Sequence, residues 1–359
     1  MLGLPELVAF QVELHGSAFA TQGHEMKIDV FNHVLPPGFL EKFQEVAGHH
    51  GDMVRRVFRV PLLVDLDARF RLMDGFGDYR QIISLASPPI ESYAGPELSP
   101  VLARLANDGM AQLVERHADR FPGFAASLPM NNPDAAVAEL ERAIRELGAR
   151  GVQIFTNAAG RPLDDAAFAP LFERMAAFDL PIFLHPARGA EMPDYACEPK
   201  SRYEIWWTFG WPYETSTAMA RLVFSGLFDR FPNIKVIAHH LGAMIPYFAN
   251  RIQHGWAQLG KRTTDEDYTG ILTRMRKPLL EYFRMFYGDT ALFGSASGTR
   301  CGLDFFGAER VLFASDMPFD PEPGLFIRET IGALESLKLD VPTSDLIYRR
   351  NAEKLLHLQ

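Results

Sequence analysis

Eight short runs rich in β-branched and aromatic residues, each separated from the next by room for at least one helix, set the strongest limit on this chain's fold. They are KIDVF at 27–31, QIISLA at 81–86, GFAASL at 123–128, GVQIF at 151–155, PIFL at 181–184, IKVIA at 234–238, FRMFY at 283–287 and RVLFA at 310–314. Short strands alternating with helical stretches are the pattern of βα units around a parallel sheet. The helices read clearly where they matter. In DAAVAELERAIRELG, Ala136, Leu140, Ile144 and Leu147 recur at helical steps, with Asn132 or Asp134 available as N-cap and Gly148 as stop. No Gly-x-Gly-x-x-Gly turn marks a dinucleotide fold, so eight near-regular units predict an α/β (β/α)8 TIM barrel rather than a doubly wound sheet.

Nothing inside the pattern divides it. Residues 1–25 precede the first strand start, MKIDVF, and read as an N-terminal extension, an arm or an artefact; residues 26–359 read as one catalytic domain. The extension has no basic leader or small-residue cleavage site, which argues against a signal peptide. No stretch approaches the ~18 apolar residues of a membrane span. The 36 Lys and Arg against 45 Asp and Glu, with no basic run longer than Arg349-Arg350, argue against a nucleic-acid partner. Two cysteines, Cys197 and Cys301, lie in no metal-ligand spacing and fit a reducing compartment, so a cytoplasmic location is expected.

In a barrel of this kind the reacting groups gather at the C-terminal ends of the strands. Strand one runs into Asn32 and His33, strand five ends at His185, strand six runs into His239 and His240, and strand eight runs into Asp316. Each has an ordinary alternative: a hydrogen-bonded core histidine, or an Asp that caps a helix. Because neighbouring strand residues face opposite sides, at most one of His239 and His240 should face the mouth. Imidazoles and a carboxylate converging there would suit Zn²⁺ or another divalent transition metal.

The stretches MKIDVFNHVLP, ELERAIRELGARGVQIFTN, GRPLDDAAFAPLFERM, DLPIFLHP, FSGLFDRFPNIKVIAHHLGAMIPYFANRI, YGDTALFG, ERVLFASDMPF and NAEKLL span residues 26 to about 358. In order and spacing they resemble the decarboxylase branch of the amidohydrolase superfamily, the aminocarboxymuconate-semialdehyde, γ-resorcylate and 5-carboxyvanillate decarboxylases. The resemblance implies one divalent metal, zinc before manganese, with ligands after strands one, five and eight: His33, His185 and Asp316. It selects His240 over His239 on strand six, because the family's His stands six residues before the Pro, here Pro246. It implies a nonoxidative carboxy-lyase acting on a small aromatic or unsaturated carboxylic acid, with Asp316 as proton donor and His240 activating a water or hydrogen-bonding the reacting group. A homodimer is also implied.

The departure is on strand one. Where the family writes Asp-x-His-x-His or a Glu at the first ligand position, this chain has Asp29-Val30-Phe31-Asn32-His33, and Phe31 cannot ligate. Three readings stay open: a metal held by fewer protein ligands, a site rebuilt with Asn32 or His240, or a metal-free lyase or silent binding paralogue. A metal-dependent hydrolase or hydratase is the alternative on the same scaffold. Substrate contacts are sought on the long connection after strand five. There Trp206, Trp207 and Trp211 either pack a core or subunit interface or stack on a planar acid, and Arg188 and Arg202 (with Arg161 after strand four) either lie solvated at the surface or grip a carboxylate.

Overall fold

The computed structural model describes residues 26–47, 51–268 and 270–358, so the 1–25 extension lies outside the described residues. The barrel strands are β1 (Lys27–Val34), β2 (Tyr79–Leu85), β3 (Gly123–Phe124 and Ala126–Ser127, interrupted at Ala125), β4 (Val152–Phe155), β5 (Pro181–His185), β6 (Lys235–Ala238), β7 (Tyr287–Asp289) and β8 (Val311–Leu312); a short antiparallel pair, Asn157–Ala158 with Arg161–Pro162, lies outside the ring order. Neighbouring barrel strands pair in parallel, in sequence order. The ring closes between β8 and β1, where Val30 N–H donates to Phe313 O at 3.0 Å and Asp316 N–H donates to Phe31 O at 3.0 Å. This is the (β/α)8 barrel expected from the strand pattern.

The core has two parts. Outside the ring, helix faces pack on the strands; the helix Pro133–Arg145 buries Ala136 and Leu140, and the Asn132 side chain accepts from Ala135 N–H as its cap. Inside the ring, Ile28, Phe31, Ile82, Phe183, Ile237 and Leu312 fill the lumen, joined by Ala352 and Leu355 from the C-terminal helix. The barrel is thus a packed core with its chemistry at one rim.

One run departs from the sequence reading. FRMFY was expected as strand seven, but Leu279–Phe283 is helical and the strand begins at Tyr287. Phe283 and Phe286 are buried against the helix–sheet core. Their aromatic density serves the packing of a helix end rather than a strand.

Strand β1 is buried along all eight residues although it carries Asp29, Asn32 and His33. Its register slips between Asp29 and Asn32, which re-aims the side chains that follow. Each polar group is matched. Asp29 accepts from the Tyr79 and Ser315 hydroxyls, and Asn32 donates to Asp29 O and Ile82 O. Arg69, fully buried, donates to Asn32 Oδ1, His33 O, Leu62 O and Gln81 Oε1 at 2.7–3.2 Å. Burial pushes the Asp29 carboxyl up to about 6 and the Arg69 guanidinium down to about 10.

Candidate metal centre

Four side chains meet at the C-terminal rim: His33 from β1, His185 from β5, His239 just after β6, and Asp316 after β8. One ligand atom from each lies within 4.8 Å of all the others, and all four residues are buried. Donors bound to one ion about 2.0–2.2 Å away sit roughly 3.0–4.4 Å apart. Two of the spacings fall in that range: His33 Nε2 is 3.2 Å and His239 Nε2 is 3.4 Å from the same oxygen, Asp316 Oδ1.

The outer hydrogen bonds give all three imidazoles one orientation. Ser84 Oγ donates to Asn32 O, so it accepts from His33 Nδ1–H, 3.1 Å away. His185 Nδ1 lies 2.7 Å from Pro186 O, which can only accept. His239 Nδ1 lies 2.7 Å from Asp289 Oδ2. A proton on each Nδ1 leaves each Nε2 lone pair turned toward the shared volume, the arrangement in which outer-shell acceptors orient metal-ligating histidines.

Electrostatics favour a positive centre at that point. Burial would raise the Asp316 carboxyl, but the close approach of His239 and His33 and the charge of His239 and His240 hold it well below the usual carboxylate range. Burial would lower His239, yet Asp289 and Asp316 outweigh it and push the imidazole up to about 9. His185 is held well below its ordinary value, by burial first and then by the neighbouring histidines. Two buried carboxylates facing three imidazoles attract a cation, whether a proton or a metal.

The sequence candidates separate on inspection. His33, His185 and Asp316 come together. Of the doublet, His239 joins them and His240 does not. The strand ends at Ala238, and His240, Leu241, Gly242 and Ala243 all have positive φ of 54–72°, so the turn re-aims His240. Its ring stacks on His239 at 3.8 Å and its Nδ1 lies 2.7 Å from Ala291 O. Burial, then the His239 charge, pushes it down to about 4, a neutral imidazole beside the cluster. Asn32 is tied to Arg69 and the strand backbone, away from the donor group.

Phe31 lies against all three imidazoles, flat on His239 at 3.8 Å and 15° and 5.8 Å from both His33 and His185. Further rings wall the rim: Phe319 against His33, Phe155 and Trp211 against His185, and Phe293 against His240. Of the three tryptophans, Trp211 therefore reaches the centre, while Trp206 is buried behind it and Trp207 donates to Glu204 Oε2. Arg188 is paired with Glu214 at 2.9 Å, Arg161 with Asp165 at 2.8 Å, and Arg202 with Glu198 at 3.4 Å. Arg202 and Trp206 line a separate cleft of about 360 Å³ that includes none of the four donors. Asp289, Ser84 and the rings Phe155, Phe293 and Phe319 were not singled out from sequence. Asp289 had a signal, an acidic residue ending strand seven.

Both cysteines are free. Among the described residues no helix is long and apolar enough to cross a membrane.

A parallel eight-stranded barrel with a His–Asp cluster at its C-terminal rim defines a metal-centre enzyme scaffold. The amidohydrolase family model matches residues 28–358, and the chain belongs to that family. It is 34% identical over 287 residues to the γ-resorcylate decarboxylase of Polaromonas sp. strain JS666, covering 78% of this chain and 85% of that one. It is 29% identical to the 2-amino-3-carboxymuconate-6-semialdehyde decarboxylase of Dictyostelium discoideum, over 82% of each chain. Among solved structures, 5-carboxyvanillate decarboxylase from Sphingomonas paucimobilis superposes with a TM-score of 0.78 at 25% identity, covering 93% of this chain and 99% of that one. The dihydroxybenzoic acid decarboxylase of Polaromonas sp. JS666, with bound manganese and the inhibitor 2-nitroresorcinol, superposes with a TM-score of 0.74 at 28% identity, covering 93% and 97%.

Proposed function

We propose that this chain is a metal-dependent nonoxidative decarboxylase of a small aromatic or unsaturated carboxylic acid. The observation that carries the reading is the convergence of three imidazoles and one carboxylate beneath a rim of aromatic rings. The residues fit a divalent ion: His33, His185 and Asp316 offer buried donors at ligand spacing, and the orphaned His239 Nε2 faces the same volume. Imidazole-rich donors suit zinc, and the manganese of the Polaromonas relative supports manganese as the alternative. When bound, the ion supplies a Lewis acid and template for the substrate carboxylate and a neighbouring oxygen.

The chain's own residues do the rest. Phe155, Trp211, Phe293 and Phe319 offer flat faces and edges to a planar ring and keep water from the reacting carbon. Asp316 is pinned by its N–H to Phe31 O at 3.0 Å, with a left-handed φ of 64°. Its Oδ1 faces the imidazoles, and Oδ2 is the oxygen we assign to proton transfer. Asp316 is ionised in the free protein, so it takes a proton from solvent as the negative substrate carboxylate approaches. That proton passes to the carbon bearing the carboxylate, the C–C bonding pair passes to the ring as CO₂ leaves, and Asp316 returns to its ionised state. His240, with Nδ1–H given to Ala291 O, keeps an Nε2 lone pair for a substrate hydroxyl.

The test is CO₂ release from hydroxybenzoates and unsaturated carboxylic acids by zinc- and manganese-loaded protein. At least one acid should turn over, and Asp316→Asn should lower kcat by about 100-fold or more. Turnover undiminished in Asp316→Asn, or no turnover of any acid by metal-loaded protein, would overturn the reading.

A further inference from the structure

We propose that His239 is itself a metal ligand, a fourth protein donor supplied from the end of β6 beside a β1 position, Phe31, that has none to give. The inference rests on the metal centre proposed above and goes past the three donors assigned from the sequence.

Three observations carry it. First, the ring is fixed on three sides. Phe31 lies flat against one face, His240 covers the ring at 3.8 Å, and Asp289 Oδ2 holds Nδ1 at 2.7 Å. Asp289 is itself fully buried and braced, its other oxygen accepting from His240 N–H and Ala291 N–H. A carboxylate behind a histidine is the outer-shell device that fixes the ring and strengthens the opposite nitrogen as a donor.

Second, that opposite nitrogen is buried without a hydrogen-bond partner. Nε2 lies 3.4 Å from Asp316 Oδ1 but is not aligned to bond to it. Other buried polar atoms, Glu91 Oε1 among them, also lack a partner, but this nitrogen is the one that faces three further donor groups, where a bound cation would satisfy it.

Third, His239 Nε2 and His33 Nε2 both converge on the same oxygen of Asp316, with His185 closing the group. A single proton can satisfy one such pair. A divalent cation satisfies all four donors together.

Position 31 explains why the donor is needed. Phe31 and His33 stand two apart on β1 and both ring systems reach the cluster, so a ligating side chain at 31 would enter the space where the Phe31 ring now backs His239. The hydrocarbon wall and the added imidazole form one unit: the ring of Phe31 aims the donor that stands in for it.

The experiment loads wild-type protein, His239→Gln and Asp289→Asn with zinc, counts imidazole ligands by X-ray absorption, and measures affinity by chelator competition. Circular dichroism of the metal-free proteins controls for folding. Wild type should show three imidazoles. His239→Gln should show two and bind at least about 100-fold more weakly, and Asp289→Asn should lose roughly 10–100-fold. A two-imidazole wild-type centre overturns the proposal, whatever the variants do. So does a folded His239→Gln that keeps wild-type affinity and spectrum. Wild type that binds no metal at all would instead overturn the metal-dependent function; two imidazoles at full occupancy leave that function standing and refute only the role of His239.

Discussion

Replacing Glu91 with Gln should stabilise this protein at alkaline pH and leave it nearly unchanged in acid. Glu91 lies in the turn Ile90–Ser92 after β2, only 8% exposed, and its Oε1 has no hydrogen-bond partner. Burial pushes its carboxyl from 4.5 up to about 7. An acid whose folded pKa exceeds its unfolded one favours folding while protonated; that contribution is complete below 4.5 and is lost as pH rises through about 7. At about 1.4 kcal/mol per pH unit, the whole gap amounts to about 3 kcal/mol, of which about 2.5 kcal/mol falls between pH 5 and pH 8. Gln keeps the shape without the charge. The assay is urea unfolding of both proteins from pH 5 to pH 8, read as the difference between them so that other titrating groups, Asp29 among them, cancel. The variant's advantage should grow by about 2.5 kcal/mol across that range, or about 3 °C in Tm for a chain of this length. A difference flat to within about 0.5 kcal/mol would refute the claim that burial governs this carboxyl.

Arg69→Met removes the guanidinium that four acceptors share and leaves His33 O, Leu62 O, Asn32 Oδ1 and Gln81 Oε1 short of a donor. Denaturant unfolding should show a loss of about 3–5 kcal/mol, the usual result of breaking a buried charged network; a loss below about 1 kcal/mol would mean that the strand holds its shape without it. Trp211→Ala should raise KM for the substrate acid by about 10-fold or more because its ring edges His185, whereas Arg202→Ala, at a cleft outside the donor group, should change KM by less than about 2-fold. Equal effects from the two variants would refute that division of the β5 connection.

The fold was legible because its information is periodic. Short apolar runs at regular spacing, with helices of the right length between them, leave a closed parallel barrel as the economical way to bury every strand on both faces. Periodicity failed where two structures share one composition. FRMFY has the residues of a strand, but its apolar side chains also suit the end of a helix packed on the sheet, and tertiary packing chose the latter. The long β5 connection was opaque for the same reason in reverse: no period governs it, so the tryptophan that reaches His185 could not be told from the two beside it.

At the rim, reading residues by strand position brought His33, His185 and Asp316 to one place, because a residue that ends a barrel strand has little choice about which end it occupies. The doublet could not be resolved that way. Alternation of faces applies only while the chain is extended, and it stops at Ala238; four consecutive left-handed residues then turn His240 onto its neighbour, leaving His239 facing the cluster. Counting back from Pro246 identifies a position along the chain, but the ring's direction is set by Asp289 on the next strand and Phe31 across the lumen. Both are ordinary in isolation, a buried carboxylate and a core phenylalanine. A phenylalanine that replaces a donor reads as loss when strand one is considered alone. In three dimensions its ring lies 3.8 Å from an imidazole whose free nitrogen faces Asp316, so the same substitution that removes a donor from one strand supports a donor from another.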